Sequence, residues 1–467
     1  MEARPGWDAD VTDVLIVGAG SAGSVLAEQL SADPDCQVMV IEAGPGSDDP
    51  TVRSLIDDAT VLPITPGSPV VRRYRTALTN DPAQVIELVR GSCLGGSGAV
   101  NGGYFCRALP ADFDDPAIPG WSWAEVEEHY RAIETDLDFP DFGGTGPIPV
   151  GRTREFSTST AVLITAAQQA GYRWLPDLNA AGSGVGAVPL NIHDGHRVGP
   201  GAAFLAPALG RSNLTVLTGT TATRIRTTGA TVTGIDVIGA QGPMVLDADR
   251  VVLAAGAIAT AHLLMLSGIG PAGELTACGI GVVADLPVGQ RCWDHPEWIM
   301  STGWTGTAGR PVLEAVLVTD DLEIRPYTTG FGVRPEPGIG VALMTPQGHG
   351  RVSLVSADPA VPPRIEHRYD SEPADLAALR SGCDLVTDIV GGTTELGESA
   401  WSTSQHLCGT APMGTDSDEY AVVDPHCRVR GVSGLWVIDG SVLPRILHRG
   451  PHATIAMIGH RAAQFVR

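Results

Sequence analysis

The chain has 467 residues, a formal net charge of −23 at pH 7 and 43% hydrophobic residues, a composition ordinary for a globular protein. All 30 of its basic side chains are arginines, so there is no Walker-type phosphate ligand, no Schiff-base amine and no lysine base. The acidic balance repels phosphate backbones and argues against nucleic acid as a partner, and the length leaves room for two or three cores of about 100–200 residues each.

Residues Met1 to Asp10 are acidic and lack the positively charged start of a signal peptide, so a cytoplasmic location is expected. The first strong element is Asp13 to Val17, DVLIV, an apolar run without alternation. Such a run predicts a strand covered on both faces of a parallel sheet. Gly18-Ala-Gly20-Ser-Ala-Gly23 follows, then a segment of helical spacing from Ser24 to Leu30, then a second short strand from Gln37 to Ile41 that ends at Glu42. Gly18 permits the tight turn, Gly20 lets a pyrophosphate approach the backbone, and Gly23 lets helix and strand pack closely. The anion then sits on the amides and positive dipole of the helix N-terminus. Glu42 can accept hydrogen bonds from a ribose diol, and its charge opposes a 2′-phosphate. This unit predicts a dinucleotide, NAD or FAD rather than NADP.

A glycine-dense loop runs from Arg90 through Gly95-Gly96-Ser97-Gly98 to Asn101-Gly102-Gly103. Glycines at that density otherwise carry an entropy penalty, so backbone must come close to something flat or anionic there. Trp121-Ser-Trp123 to Tyr130 predicts a helix with Ser122 as N-cap and Glu125 three residues on. Asn213-Leu-Thr could accept a glycan, but without a secretory signal this is read as chance. Val251 to Gly270 is nearly uncharged and has roughly the ~20 residues a bilayer needs. Its Gly256 and Ser-Gly-Ile-Gly ending predict a buried strand, turn and helix instead of a transmembrane segment. Asp294-His295-Pro296-Glu297 is read as a loop rather than a metal cluster. Trp293 and Trp298 either line the substrate space or simply pack. Gly434 to Val437 and Ile438 predict one more buried strand, closing on Asp439-Gly440. An acid there can hydrogen-bond a polyol chain, which suits the ribityl of FAD better than anything in NAD.

The eight cysteines, at 36, 93, 106, 278, 292, 383, 408 and 427, contain no C-x-x-C pair. Neither a disulfide framework nor a zinc site is expected, and no hydrolase or metal motif occurs, so no metal is assigned.

These motifs resemble the glucose-methanol-choline (GMC) family of FAD oxidoreductases over nearly the whole length. Arg90 to Asn101 is similar to its first signature, with Ser92 in place of a basic residue and Gly98 in place of a serine. Gly256 to Gly270 resembles the second, departing at Ala261. Asp285 to Pro296 and Ala421 to Pro444 are also family-like. The resemblance implies an α/β fold: a Rossmann-like FAD-binding domain with a parallel sheet, from residues 10–115, 200–290 and 405–467, and a smaller α+β substrate domain with an antiparallel sheet, from 116–199 and 291–404. It implies cofactor contacts at Gly18, Gly20, Ser21, Ala22, Gly23, Glu42, Ala43, Arg90, Gly95, Gly96, Ser97, Asn101, Gly102, Gly103, Thr223, Ala255, Gly256, Asp439, Gly440, His452 and Ala453. The position of a flavin-tethering histidine in some members is Val100 here, which implies non-covalent FAD.

Of the twelve histidines, two fall on catalytic positions of the family: His406, in Gln405-His406-Leu-Cys-Gly409-Thr410, and His452, in Gly450-Pro451-His452. His448 competes for the second role. Hydride loss from an alcohol carbon requires loss of the hydroxyl proton, which a neutral imidazole can accept, while a second imidazole orients the oxygen. The implied function is FAD-dependent oxidation of a CH–OH donor, with His406 as base and His452 as orienting group. Alternatives are an oxidase of a small alcohol or sugar, a non-redox lyase, a pyridine-nucleotide enzyme and a non-catalytic flavin-binding module. The phrase Asn101-Gly-Gly-Tyr-Phe-Cys-Arg107 is most similar to the mycofactocin-associated branch of actinobacteria, which implies reduced mycofactocin as the alcohol substrate. The electron acceptor, whether oxygen, a quinone or a respiratory protein, is open, and a membrane acceptor would imply peripheral association.

Overall fold

The computed structural model describes residues 12–47, 49–114, 118–331 and 336–467. Branched apolar side chains on both faces make Val14-Leu-Ile-Val17 stable only when covered on both sides. This segment is β1 (Val14–Val17), followed by helix α1 (Ser21–Ser31) and β2 (Val38–Ile41). Three later strands, β3 (Leu214–Leu217), β4 (Val251–Leu253) and β5 (Leu435–Val437), complete a parallel sheet in the order β3-β2-β1-β4-β5. Leu15 pairs with Met39 on one side and Val251 on the other. The strand order reverses at β1, which opens a crevice beyond the carboxyl ends of β1 and β4.

The turn from β1 to α1 closes only with glycine at its two ends. A Cβ on Gly23 would collide with the Gly18 carbonyl, and one on Gly18, whose φ is +101°, would lie 2.6 Å from the Ala254 carbonyl oxygen. Two further helices follow in the chain, α2 (Gly256–Leu266) and α3 (His452–Ala462), and α3 lies behind α1. Gly459 brings it against the Ala22 backbone. Helix α2 is apolar all round and its residues from Ala257 onward are almost all buried, as a helix inside a core must be. The stretch of membrane-span length is therefore β4, α2 and the short strand Ile269–Gly270. Among the described residues no helix is long and apolar enough to cross a membrane.

A second, antiparallel sheet has six strands in the spatial order Leu396–Thr403, Pro296–Thr302, Gly338–Leu343, Leu322–Pro326, Ala315–Val318 and Gly184–Ala187. Alternation along its strands sends Trp298, Met300, Leu322, Ile324, Ile339 and Val341 to one face. There they pack on helices Thr158–Gln169 and Pro373–Val390. Each fully buried Leu or Val contributes roughly 1.5–3 kcal/mol. The opposite face carries Glu297, Glu323 and Arg325, all buried as well. A Cβ on Gly340 would collide with the Glu297 carboxylate, so the missing side chain leaves the acid its space.

A four-stranded sheet pairs the hairpin Val71–Ala77 and Val85–Gly91 with strands Arg364–Glu366 and Arg351–Ser353. It therefore ties the early part of the chain to its later middle. Helix Trp123–Ile133 starts after Ser122, whose backbone N–H is accepted by the Glu125 carboxylate at 2.9 Å. Asn213 is buried, its Nδ2 donating to the carbonyls of Ser31, Asp33 and Cys36, so the folded chain has no free amide there for a glycan. All eight cysteines are free thiols.

Candidate active site

The crevice beyond β1 is built from backbone. Helix α1 begins at Gly20 with no side-chain cap, so its first amides are left for an acceptor outside the helix. A Cβ on Gly20 would meet nothing closer than 3.7 Å, and one on Gly256 nothing within 4 Å. Both positions give a flat or anionic group close access to main chain. Gly95 donates its N–H to the Ala19 carbonyl at 2.8 Å, and Gly96 packs so closely that a Cβ would lie 2.7 Å from the Gly20 Cα. The glycine-dense loop thus lies against the first glycine turn. Ser97 Oγ accepts the Gly91 N–H at 3.0 Å and shapes that loop.

Two carboxylates at strand ends brace this crevice. Glu42 is 7% exposed and accepts the N–H groups of Ala19 (3.0 Å) and Gly44 (2.9 Å). Asp439 is 2% exposed and accepts Gly256 N–H (2.8 Å), the Thr260 hydroxyl (2.7 Å) and Ser441 N–H (2.7 Å). Burial raises both carboxyls above the ordinary range, against the pull of those hydrogen bonds. Each acid was expected to face a sugar or polyol; each also holds together the turn it belongs to. Ala43 is exposed beside Glu42, Ala22 is buried in α1, Ala255 is half-buried as the N-cap of α2, Gly440 O accepts the Gly409 N–H, and Ala453 is buried in the first turn of α3. Val100 is a buried apolar residue packed with Val52 and Val70.

Two residues that the family likeness implies as cofactor contacts make hydrogen bonds within the protein. Thr223 donates its hydroxyl to the Asp236 carbonyl at 3.0 Å, within the three-stranded sheet Thr221–Thr228, Thr231–Gly239 and Gly242–Asp247. Thr220 is the residue tied to Glu42, through its N–H. The Arg90 guanidinium reaches Gln405, donating to Oε1 at 2.8 Å, so it stands beside His406.

His406 is half-buried, and its neighbour is one that local reading passed over. Its Nδ1 is 2.7 Å from Nδ1 of His295, with the rings perpendicular, and His295 Nε2 is 2.8 Å from the Leu447 carbonyl oxygen. A carbonyl only accepts, so His295 carries its proton on Nε2. Burial pushes His295 down to about 4, so the ring is neutral and its Nδ1 is a lone pair. His406 must then donate from Nδ1, and its Nε2 is left unprotonated. Burial, with His295, Arg325 and Arg90, holds His406 well below the ordinary histidine value.

Asp294 anchors the backbone of both histidines. Its Oδ1 accepts the backbone N–H of His295 (2.8 Å) and of His406 (2.7 Å), and its Oδ2 accepts Thr403 Oγ1 (2.6 Å) and His367 Nε2 (3.1 Å). Burial alone would raise this carboxyl, but His367 and Thr403 outweigh it and hold Asp294 well below the carboxylate range. The Asp294-to-Glu297 stretch, read from the sequence as a loop, thus supplies the His406 partner and opens a strand of the second sheet. Trp293 packs on His349 and Trp298 on Trp401.

His452, the first residue of α3, packs on the glycine-dense loop. Asn101 Oδ1 accepts the Gly103 N–H (2.9 Å), so its Nδ2 is the donor to His452 Nδ1 at 3.0 Å. The proton of His452 is therefore on Nε2, which is buried without a partner and points where a Cβ on Gly98 would be 2.6 Å away. Burial, then Arg197, pushes His452 down to about 4. Arg197, which no local pattern marks, donates to the carbonyls of Asn101, Ile56, Ala99 and Val61 and so anchors the loop. The backbone at His406 Nε2 is that of Gly450, where a Cβ would lie 3.4 Å from Nε2 and Cε1. His448 is held by Asp112, Nδ1 to Oδ1 at 2.6 Å. Gly102 lies against Val312.

A switch-point crevice of free amides, one unpartnered imidazole N–H and a bare imidazole nitrogen define a dinucleotide-dependent oxidoreductase, and the residues fit a flavin dinucleotide. The chain belongs to the GMC oxidoreductase family, whose two models match residues 12–297 and 346–459. It is an FAD-binding oxidoreductase acting on alcohol-type substrates. It is 40% identical to an uncharacterised GMC-type oxidoreductase of Rhodococcus erythropolis over 98% of each chain. It is 30% identical to the 5-(hydroxymethyl)furfural oxidase of Methylovorus sp., again over 98% of each. The crystal structure of pyridoxine 4-oxidase from Mesorbium loti superposes with a TM-score of 0.88 at 27% identity, covering 97% of this chain and 99% of that one.

Proposed function

We propose that His406 is the base that takes the hydroxyl proton of the alcohol donor on Nε2, and that His452 offers its Nε2–H to the donor oxygen or the cofactor. One observation carries the reading: the chain Leu447 carbonyl, His295, His406 leaves a bare nitrogen on His406 and nowhere else along it. FAD, when bound, supplies the electron sink for the hydride. The chain's own part is to hold the donor oxygen, accept its proton and keep the base neutral near pH 7. The expected non-covalent binding of FAD agrees with the apolar burial of Val100.

The donor proposed is reduced mycofactocin, with electrons passed on to oxygen, a quinone or a respiratory protein from a cytoplasmic or peripheral membrane position. Support comes from the Asn101-to-Arg107 phrase and from the 40% identity to the uncharacterised Rhodococcus relative. Anaerobic stopped-flow mixing of the yellow protein with reduced mycofactocin, 5-(hydroxymethyl)furfural, choline and pyridoxine tests it. Bleaching by the first, far faster than by the others, is expected. Faster bleaching by a simple alcohol would transfer the assignment to a small-alcohol oxidase, and no bleaching by any would favour a lyase.

His295 acts through His406. With alanine there, Nδ1 of His406 loses its acceptor, and tautomer and ring orientation are no longer set. Since misplacement of a reacting group by about 1 Å can cost ~100-fold, His295→Ala is expected to slow flavin reduction by about that factor with FAD still bound. A change below threefold would show that His406 does not depend on this partner.

A further inference from the structure

The residue between His448 and the Gly450 backbone at His406 is Arg449. Its side chain is 3% exposed. Nη1 donates to the His448 carbonyl at 3.0 Å, and Nε has no partner. The groups acting on its charge are Cys106, Tyr104, Glu323 and Asp112. Both of those carboxylates are already engaged. Glu323 Oε2 accepts Nε (3.0 Å) and Nη2 (2.8 Å) of Arg325, and Oε1 accepts the Tyr104 hydroxyl (3.1 Å). Asp112 accepts His448 N–H (3.0 Å), His448 Nδ1 (2.6 Å) and Leu109 N–H (2.8 Å). Among the described residues no carboxylate reaches Arg449 within ion-pair distance.

A buried guanidinium with an unpaired donor is unfavourable unless something outside the protein's own side chains pairs with it. We propose that Arg449 is the anchor for a carboxylate, or an equivalent anionic group, carried by the alcohol donor. Charge-assisted hydrogen bonds from a guanidinium to a carboxylate are among the stronger polar contacts and fix orientation as well as affinity. The backbone of Gly450, the next residue, meets the His406 ring, and Glu323, which acts on the Arg449 charge, also acts on His295, so the guanidinium lies on the side of the fold that carries the base. Tyr104, half-buried with its hydroxyl on Glu323, lies near enough to act on the same charge. Arg449 is thus a specificity residue, and its role rests on the reading of His406 as proton acceptor.

The test uses the FAD holoenzyme and two matched pairs of probes. Benzoate and benzamide are titrated against the visible flavin spectrum; 4-(hydroxymethyl)benzoate and benzyl alcohol are compared as anaerobic reductants. Benzoate is expected to bind at least tenfold more tightly than benzamide, and the acid alcohol to have the higher kcat/KM. Arg449→Met is expected to erase both preferences while retaining its yellow cofactor, and Arg449→Lys to keep them in weakened form. Should Arg449→Met lose FAD, the lysine variant alone decides, since it preserves the charge and must preserve the preference. Equal binding of benzoate and benzamide by the wild-type holoenzyme, or a preference indifferent to residue 449, would overturn the proposal and leave the His406 reading intact. Arginine-dependent benzoate binding without any flavin reduction would do the reverse.

Discussion

Replacing His406 with alanine is expected to give a yellow protein whose flavin alcohols reduce about 10²–10⁴-fold more slowly, the range a positioned general base contributes. FAD affinity should stay within a few-fold of wild type, because His406 lies at the second sheet and none of the crevice amides depends on it. The pH dependence follows from the same environment. Only neutral His406 can accept a proton, and burial with the nearby His295, Arg325 and Arg90 keeps it neutral below the ordinary histidine range. As pH falls, activity should therefore persist through ~6.5, the unperturbed value, and decline only below it. The His406→Ala variant should lose that acid limb along with the rate. Stopped-flow reduction between pH 4.5 and 9, with these intervals set by the range in which histidine titrates, decides the matter. A limb at or above roughly 6.5, or a variant within tenfold of wild type, would rule out His406 as the base.

Arg325→Met is expected to be the most destabilising single change in the second sheet. Arg325 is 3% exposed, Glu323 0% and Glu297 1%. The guanidinium donates twice to Glu323, once to Glu297 at 3.4 Å and once to Ser404 Oγ at 2.7 Å. Removing it leaves two buried carboxylates without their ion-pair partner. Breaking a buried pair in this way costs about 3–5 kcal/mol, which denaturant or thermal unfolding of the apoprotein would read. The charge also reaches the site, since Arg325 is among the cations that lower His406. Its loss raises the histidine, and the acid limb of any surviving activity should move to higher pH. Wild-type stability with an unmoved limb would mean that the cluster neither supports the sheet nor acts on the base.

The parts legible from sequence are those whose causes are local. The β1–α1–β2 unit was readable because its turn, helix start and terminal acid lie within thirty residues, and each step has its own steric or electrostatic reason. The start of helix Trp123–Ile133 was readable for the same reason, from Ser122 and Glu125. The buried reading of Val251 to Gly270 rested on its glycines, and α2 fills a core. Family likeness then pointed to His406 and His452, which local chemistry alone leaves among twelve histidines.

The partner of His406 was hidden because a hydrogen bond between residues 111 positions apart leaves no periodicity or spacing to detect. Asp294 bonds residues 403, 406 and 367 in the same way, and Gly450 matters only for the ring its backbone meets. From residue type and short-range geometry came the dinucleotide class of the cofactor and the glycine turn expected to receive it, whereas the expectation of an imidazole base at His406 came from the family likeness. Only the tertiary structure decided which nitrogen of His406 is bare, which histidine makes it so, and that among the described residues no carboxylate reaches the buried Arg449 within ion-pair distance. Proton position and charge compensation are set by whatever lies across the fold, at distances of about 3 Å that chain order does not encode.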